Sequence, residues 1–396
     1  MNGNDAMGTL RVLVLSSTRR ERDGIAEYTR QLFNPAFLPG RNVQIEVRNV
    51  SPLNLLTAPF TRPDIVHVQH EFFLFDRLVG VTALLFYPYL WFWSRCFGVK
   101  LATTIHSTYN IDDLPGALPH FARYRALFPL GRLYLKLHFR LVVALSDRIV
   151  LLSKIGAAHL QRAISRRQFE RKVVRVHLGN YQANIQMRRH GLLAQRYGVA
   201  PEDKIFTLFG FAFPNKGYEH AIFALDLLVH QRGRPAPRLV IVSGETGKSS
   251  FPGGGQGESY IGYLQRLTRE RQLETRVIFT GYLANTDPLL EDIFAETFCF
   301  LFPYLNRNFP SGAISTVLAT RKPVLVSRIP CFEEYEDLPS FEEKNATDLA
   351  DQMTALLDDP QFLAAATRRT QANADTFAME RIFIRHLEIY RQLRAR

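Results

Sequence analysis

Short apolar runs of strand length alternate with helical or loop segments along almost the whole chain, and no other feature limits the fold as strongly. In the first half such runs lie at residues 10–16, 43–47, 65–68, 101–105, 147–153 and 173–178, and in the second half at 205–209, 239–242, 277–280, 299–302 and 324–326. The first run is mostly apolar on both faces, as a strand in the centre of a covered parallel sheet should be. This alternation predicts an α/β fold with doubly wound parallel sheets.

The length of the chain indicates more than one domain. Its 396 residues exceed the usual size of a single hydrophobic core, so two domains of similar size are expected. Residues 180–197 are polar and lack strand character, which predicts the crossing between the domains there. Residues 378–394 predict a last helix, on which Phe383, Leu387 and Tyr390 recur at helical spacing and provide an apolar side for docking.

The net charge of +12 and the pI near 9.7 suggest an anionic partner, such as nucleic acid, acidic lipid or a phosphorylated substrate. No zinc-finger, helix-turn-helix or RNA-binding signature is present, which argues against nucleic acid.

The three cysteines, Cys96, Cys299 and Cys331, are scattered without metal or disulfide spacing. Residues 1–10 carry no secretory pattern. A reducing cytoplasm is the expected location.

Residues 205–222 read as a strand, a loop and a helix, and Lys216 lies in the loop. Such a unit places the positive end of a helix at the mouth of a sheet, where it can hold a phosphate. The alternative is a surface lysine that follows a loop proline.

Two other phosphate motifs are excluded. Val242 stands where a P-loop needs its first glycine, and the loop around Gly24 is not the dinucleotide fingerprint.

Polar residues follow two strands of the first half. His70 and Glu71 end the third strand, and His106 ends the fourth, where a parallel sheet presents functional groups. We expect His70 and Glu71 to bind an acceptor hydroxyl, with hydrogen bonds to loops and helix caps as the alternative. His106 is the better candidate for a site residue, because a short apolar strand stops on it.

Residues 121–145 have helical composition, and Pro129 and Gly131 are expected to split the helix. Basic residues lie among its Phe, Tyr and Leu side chains: Arg123, Arg125, Arg132, Lys136 and Arg140. The last three are spaced by four and would share one helix face. That face is either solvated or lies on an anionic membrane surface.

The apolar run at residues 79–93 predicts a buried or an interfacial helix. It is shorter than the roughly 18 to 20 residues that a membrane span needs.

Several stretches together resemble the GT-B glycosyltransferases, and within them the large retaining group often called family 4. Residues 23–29 (Asp-Gly-Ile-Ala-Glu-Tyr-Thr) and 64–72 (Asp-Ile-Val-His-Val-Gln-His-Glu-Phe) are similar to two segments of that family. Residues 104–106, residues 146–153 and the Pro-Asn-Lys-Gly stretch at 214–217 follow in the family's order and spacing. The resemblance covers nearly the whole chain.

The resemblance implies two Rossmann-like domains that face each other across a cleft. The first comprises residues 1–182 and the C-terminal segment 377–396, which crosses back, and the second, residues 183–376, binds the donor. His106 would contact the transferred sugar, and Lys216 would neutralise charge on the departing diphosphate. Residues implied to bind the donor are Gly24, Gly281, Tyr282, Leu283, Ser311 and Gly312.

The chain departs from the family pattern at two places. Asn308 and Thr316 stand where the family has a Glu-x7-Glu pair, whose second glutamate grips the ribose. Phe211 and Phe213 occupy the places where an arginine often accompanies the lysine. We keep Asn308 and Thr316 as donor-binding candidates. A non-catalytic relative that lost its donor grip, or a nucleotide-sugar epimerase or hydrolase, is the alternative.

The expected activity is that of a retaining glycosyltransferase. It would move a hexose from a UDP- or GDP-linked sugar to a glycan or lipid-linked acceptor, as in bacterial surface polysaccharide synthesis. The resemblance implies that no metal is needed, and the sequence has no Asp-x-Asp ligand pair. A location at the inner face of the plasma membrane follows if the basic helix binds lipid.

Overall fold

The computed structural model describes residues 8–17, 24–71, 82–112, 127–181, 187–233, 237–244, 258–305, 311–335 and 337–395. The chain divides into two compact units, each with its own hydrophobic core. The described part of the first lies within Met1–Gly179 and Met379–Arg396, and that of the second within Asn180–Arg307 and Ser311–Ala378.

The first unit is built on a six-stranded parallel sheet with the strand order β2-β1-β3-β4-β5-β6. Its strands are β1 (Leu10–Ser16), β2 (Val43–Asn49), β3 (Ile65–His70), β4 (Lys100–Ile105), β5 (Arg148–Leu151) and β6 (Val173–Arg175). Its helices are α1 (Gly24–Leu32), α2 (Pro52–Thr57), α3 (Ala83–Phe97), α4 (Phe128–Leu145), α5 (Lys154–Ala163) and α6 (Arg166–Lys172), with short 3₁₀ turns at Pro35–Phe37 and Ala58–Thr61. β3 and β5 are buried on both faces, as strands in the interior of a covered parallel sheet are.

The second unit has a six-stranded parallel sheet with the strand order β12-β11-β10-β7-β8-β9. Its strands are β7 (Lys204–Phe209), β8 (Pro237–Val242), β9 (Val277–Phe279), β10 (Thr297–Phe302), β11 (Val324–Ser327) and β12 (Ser340–Phe341). Its helices are α7 (Leu192–Tyr197), α8 (Tyr218–Asp226), α9 (Tyr260–Glu270), α10 (Pro288–Glu296), α11 (Gly312–Leu318), α12 (Ala346–Asp358) and α13 (Pro360–Thr376). A π-helical turn, Leu227–Gln231, extends α8, and 3₁₀ turns lie at Pro214–Lys216 and Pro330–Tyr335.

The strand order places a topological switch point between β7 and β10. The chain runs from β7 outward to β8 and β9, then returns to the other side of β7 and continues outward from β10. In open parallel sheets, ligands bind beyond the carboxyl ends of the strands at such a point. A ligand site of this unit is therefore expected at the loops that follow β7 and β10.

The last helix, α14 (Met379–Arg394), packs on the first unit. The Phe383 ring contacts Phe37, and the Tyr390 hydroxyl is hydrogen-bonded to Nδ1 of the buried His67 on β3. The Arg41–Glu380 ion pair joins the start of α14 to the same unit. The apolar side seen in the sequence is thus the buried side of the helix.

The prediction of two doubly wound parallel sheets is confirmed, and two helix predictions need correction. α4 runs unbroken from Phe128 to Leu145, because Pro129 lies in its first turn, where a missing N–H costs nothing, and Gly131 is tolerated beside it. α3 spans Ala83–Phe97 and is half-exposed, with Leu85 and Phe92 facing solvent. Among the helices that the structure describes, none is long and apolar enough to cross a membrane.

Candidate functional site

The loops that follow β7 and β10 interlock at the switch point of the second unit. The Leu305 backbone N–H donates to the Asn215 carbonyl oxygen at 2.9 Å. Gly217 has a φ of +61°, and a Cβ at this position would lie 2.2 Å from the Pro303 carbonyl oxygen. Only glycine fits both the left-handed backbone and this close approach. The two loops therefore hold each other in one arrangement.

Lys216 is the cation of this arrangement. It ends the 3₁₀ turn Pro214–Lys216, and its Nζ lies 3.6 Å from the centroid of the Tyr304 ring. Tyr304 is fully buried and packs against Phe302 and Phe332, so the ring is a fixed support. An ammonium over an aromatic face is attracted by the ring quadrupole. The half-buried Lys216 is thus fixed at the position where the sequence predicts an anion.

At the N-terminal end of α8, one backbone N–H is already hydrogen-bonded within the protein. The Tyr218 backbone N–H donates to the Tyr260 hydroxyl at 2.9 Å, and that hydroxyl donates to the Glu219 carboxylate. Burial and the neighbouring Glu219 raise the pKa of Tyr260, so its hydroxyl keeps its proton. The Tyr218 N–H is consequently not available to a ligand.

Tyr304 also connects Lys216 to the predicted residues at the start of α11. The Ser311 hydroxyl donates to the Tyr304 hydroxyl oxygen at 3.2 Å, and Gly312 begins α11 directly after Ser311. The structure therefore brings Lys216, Ser311 and Gly312 together around one buried ring. Asn308 lies outside the described residues.

Thr316, a predicted donor-binding candidate, lies on α11. It is buried, and its hydroxyl donates to the Gly312 carbonyl oxygen of its own helix at 3.3 Å. A threonine side chain is also too short to reach as far as the glutamate it replaces. Its hydroxyl proton is donated within the helix, and the assignment of Thr316 to the donor stays a prediction.

The predicted base-binding segment follows β9. Gly281 has a φ of +73°, Tyr282 projects into solvent, and Leu283 packs against the core of the unit. The Tyr282 ring is nearly parallel to that of Phe211, which follows β7: the interplanar angle is 9° and the centroids are 6.1 Å apart. The sequence identified both residues but gave no sign that they touch.

In the first unit, the ends of β3 and β4 are joined by two pairs of side chains. His106 Nε2 lies 2.7 Å from Gln69 Oε1, and the Ser107 hydroxyl donates to the Glu71 carboxylate. Because an amide oxygen only accepts, Nε2 carries the proton and the lone pair of a neutral His106 is at Nδ1. The ring meets Tyr28 of α1 edge-on, at 5.2 Å between centroids. His106 is half-buried and fixed in orientation.

His70 was predicted to bind an acceptor hydroxyl, but its side chain is buried. Its side chain is fully buried, with Nε2 3.1 Å from His138 Nε2 and its ring against Tyr87. Burial and the neighbouring His138 lower the pKa of His70, so it is neutral in the core. Successive side chains of a strand point to opposite faces, so His70 cannot share a face with Gln69 and Glu71. The alternation of side chains along the strand was the signal in the sequence that could have identified Gln69, which the sequence analysis missed.

The remaining predicted residues of the first unit lie apart from this pair of strands. Gly24 begins α1, and no atom of the described residues lies within 4 Å of where its Cβ would stand, so a ligand could approach its backbone. On α4, the Arg132 guanidinium donates to the Asp112 carbonyl oxygen and Arg140 Nε donates to the Ala163 carbonyl oxygen. Lys136 is half-buried on the same helix. Arg123 and Arg125 lie outside the described residues.

A cavity of about 350 Å³ lies beside the ends of β11 and β12. Its lining includes Arg328, Phe332, Glu333 and Tyr335, and none of the predicted site residues. Within the parts of the chain that the structure describes, there is no cluster of three or more His, Cys, Asp or Glu side chains that could hold a metal ion. The switch point thus remains the best-supported site of the second unit.

Comparisons with known proteins agree with this geometry. Residues 203–359 match the model of the family described as Glycosyl transferases group 1. No curated protein shows a significant sequence match to the chain. The matched segment contains both loops of the switch point, Lys216 and the pair Phe211 and Tyr282.

Solved structures share the fold over almost the full length of the chain. Sucrose-phosphate synthase from Thermosynechococcus elongatus is similar with a TM-score of 0.65 and 16% identity, over 98% of this chain and 99% of that one. Anabaena HepE in complex with UDP-glucose gives a TM-score of 0.64 and 17% identity, over 97% and 100%. A trehalose-6-phosphate structure from E. coli, bound with UDP-2-fluoro glucose, gives 0.64 and 11%, over 96% and 99%.

The two parallel sheets and the likeness to these solved structures show that the chain has the GT-B fold. The GT-B prediction is thereby confirmed. More particularly, the second unit of the chain carries a glycosyl transferases group 1 domain, at residues 203–359.

Proposed function

We propose that the chain is a retaining glycosyltransferase that moves a hexose from a UDP- or GDP-linked sugar to a glycan or lipid-linked acceptor. The observation that carries this proposal is the fixed ammonium of Lys216, 3.6 Å from the Tyr304 centroid at the switch point. The complexes of HepE with UDP-glucose and of the E. coli protein with UDP-2-fluoro glucose support a nucleotide-sugar donor. We place the reaction in bacterial surface polysaccharide synthesis.

The reaction breaks the bond between the anomeric carbon and the donor's diphosphate oxygen. The acceptor hydroxyl oxygen forms the new bond on the same face of the sugar, and its proton passes to the departing diphosphate. Negative charge grows on the diphosphate as that bond breaks, and Lys216 is positioned to stabilise it. Because this charge is met by Lys216 and by backbone N–H groups near Ser311 and Gly312, we propose that no metal is required.

We assign roles to three residues of the first unit. His106, oriented by Gln69, contacts the transferred sugar and offers its Nδ1 lone pair to a sugar hydroxyl. Glu71 receives the acceptor hydroxyl, and its bond to Ser107 holds the carboxylate in place. Gly24, with open space around its backbone, contacts the donor phosphates or the acceptor. His70 has no part in the reaction because it is buried.

A donor screen with product analysis tests this proposal. We expect one UDP- or GDP-hexose to give a glycosylated product whose new bond keeps the donor's anomeric configuration, measured by NMR coupling constants. Inversion at the anomeric carbon would contradict the retaining mechanism. Release of free sugar without transfer would instead favour a hydrolase, and a changed sugar on the nucleotide would favour an epimerase.

A non-catalytic partner in glycan assembly is the second candidate. It is favoured by the buried Thr316, whose hydroxyl is bonded within its own helix, and by phenylalanines in the place of the accompanying arginine. Such a protein would bind the acceptor glycan and show no transfer with any donor. Acceptor binding without donor binding would support this candidate over the enzyme.

We also propose that the first unit docks on an anionic membrane surface through α3 and α4, which pack against each other. Both helices expose large apolar side chains, among them Leu85 (73% exposed) and Leu130 (64% exposed), and the row continues with Leu133 and Leu137. Neither helix contains an acidic residue, while α4 carries Arg132, Lys136 and Arg140. Apolar side chains between basic ones fit the interface of an anionic bilayer.

Sedimentation with vesicles tests the docking surface. We expect the chain to bind phosphatidylglycerol vesicles, and the triple variant Leu130→Glu, Leu133→Glu, Leu137→Glu to lose that binding. Charge reversal of Arg132 and Lys136 should weaken binding by at least about thirtyfold, since each basic residue near the surface contributes about 1 kcal/mol and about 1.4 kcal/mol is a factor of ten. Ile384→Glu changes an exposed apolar residue on α14 and is the matched control. Unaltered sedimentation of the triple variant would rule out this surface.

A further inference from the structure

A row of arginines lies along the open edge of the first sheet. β6 is the last strand in the order of this sheet, and among the described strands it pairs with β5 alone. Arg175 ends β6, and Arg166, Arg167 and Arg171 lie on α6, which runs directly into that strand. All four residues are exposed, and together they are called the basic track.

Core packing explains little of α6. None of its residues is buried, and its one apolar side chain, Phe169, is half-buried against the core. Polar contacts hold the helix instead. A capping box fixes its first turn, and at its other end Lys172 Nζ donates to the carbonyl oxygens of Val143 and Ala144 at 2.9 and 2.6 Å. The helix therefore presents its arginines to solvent from a fixed position.

The charge of this segment is strongly unbalanced. Residues 162–175 contain five arginines and one lysine against a single acidic residue, Glu170. Glu170 pairs with Arg166 at 2.7 Å. Arg167 and Arg171 form no ion pair within the described part of the chain, and, four residues apart on one helix, they share a face. The track therefore fits an anionic partner.

The composition of the track favours an acidic glycan over a membrane. Residues 162–175 expose no large apolar side chain, whereas the proposed membrane surface on α3 and α4 exposes Leu85 and Leu130. A bilayer interface takes up apolar side chains together with basic ones. A planar guanidinium group instead binds a carboxylate or phosphate through two parallel hydrogen bonds, which suits separate charged groups along a polymer.

The direction of the track relates it to the acceptor. α6 precedes β6 and Arg175 ends it, so the arginines extend from the amino edge of the sheet to its carboxyl edge. Glu71 and His106 follow β3 and β4 at that same carboxyl edge, since the strands are parallel. With neighbouring strands about 4.8 Å apart, the end of β6 is two spacings, about 10 Å, from that of β4. A glycan chain spans that distance.

We propose that the basic track binds the chain of an acidic glycan, whose carboxylate or phosphate groups pair with the arginines while its end lies at Glu71. This inference rests on the proposed function and narrows its acceptor to a polymer with anionic groups. The track touches no reacting atom, so it contributes to acceptor affinity and leaves kcat at saturating acceptor unchanged.

Fluorescence anisotropy of a labelled oligomer of galacturonic acid with the full chain, in the absence of donor, tests the track. We expect binding that weakens as the salt concentration rises, and no binding of the same oligomer with its carboxylates methyl-esterified. The triple variant Arg167→Gln, Arg171→Gln, Arg175→Gln should bind about tenfold more weakly or worse, since three exposed charge pairs are lost.

The matched control removes three exposed arginines elsewhere, with the same change of net charge: Arg368→Gln, Arg369→Gln, Arg381→Gln. It should keep the full affinity for the oligomer. An equal loss in this control would overturn the track, because net charge alone would then explain binding. Full affinity in the track variant, equal binding of the methyl-esterified oligomer, or no oligomer binding by the unmodified chain would also overturn it.

Two further outcomes separate the track from the other proposals. If the track variant kept its affinity for the oligomer but no longer sedimented with phosphatidylglycerol vesicles, the track would be a membrane contact and the glycan proposal would fall. Because oligomer binding is measured without donor, failure of every nucleotide sugar to bind would contradict the proposed function, and with it the assignment of the glycan as acceptor.

Discussion

Replacing Lys216 by alanine is expected to lower kcat by about 10²- to 10³-fold. The physical reason is that the lysine stabilises charge that grows on the diphosphate only as the sugar departs. The Tyr304 ring holds its Nζ in place beforehand, so no reorganisation is needed at the moment of reaction. The measurement is the rate of product formation at saturating donor, once the donor screen has identified the substrate.

Lys204 provides a matched control for this prediction. Its Nζ also lies over an aromatic ring of the second unit, 5.6 Å from the Phe298 centroid, but at the opposite end of β7. Lys204→Ala removes a lysine with the same kind of contact and should leave kcat unchanged. If Lys216→Ala turned over as fast as the unmodified enzyme, Lys216 would have no role in the departure of the diphosphate.

Acidification is expected to destabilise the first unit strongly below pH 6.5. Among the histidines without exposed surface, burial lowers the pKa of His67, His70 and His386, that of His386 to about 4. His67 lies beside His386 and His106, and His70 beside His138, so protonation also brings like charges together. The folded chain keeps these rings neutral, whereas the unfolded chain protonates them near pH 6.5.

The sign and size of this effect follow from proton linkage. Since the unfolded state binds more protons below pH 6.5, stability is complete above that pH and falls as the pH decreases toward the folded pKa values. Each group contributes about 1.4 kcal/mol per pH unit, so three groups cost on the order of 6 kcal/mol at pH 5. That loss is comparable to the whole stability of many domains, about 5–15 kcal/mol.

Urea unfolding between pH 7.5 and pH 5 measures this loss. We expect His386→Gln to reduce the dependence of the unfolding free energy on pH, because one of the three groups no longer titrates. His230→Gln is the control, since it removes a histidine whose side chain is 42% exposed. An unfolding free energy that stays constant from pH 7.5 to pH 5 would contradict this account of the buried histidines.

The sheets could be predicted from the sequence because their strands are short, apolar and regularly separated. β1 matches the predicted boundaries, 10–16, and β4 and β7 extend the predicted runs by one residue. The helix at 128–145 was predicted to break, because the sequence does not show that Pro129 lies in the first turn. Composition identifies an element more securely than it locates its ends.

The candidate site could be predicted only in part, since its contacts join residues distant along the chain. Lys216 and its loop carry a local signature, whereas the supporting Tyr304 lies in the loop that follows another strand, β10. The stacking of Phe211 on Tyr282 depends on the order of β7, β8 and β9, which periodicity does not reveal. The period of two along β3 places His70 on the opposite face from Gln69 and Glu71, but it does not reveal burial, because β3 is buried on both faces.

The central claim is that the second unit binds the diphosphate of a nucleotide sugar at Lys216. Calorimetric titration of the full chain with UDP- and GDP-sugars tests it most directly. We predict saturable binding of at least one of them, weakened at least tenfold in Lys216→Ala and unchanged in Lys204→Ala. Failure of every nucleotide sugar to bind, or equal affinity in the two variants, would contradict the claim.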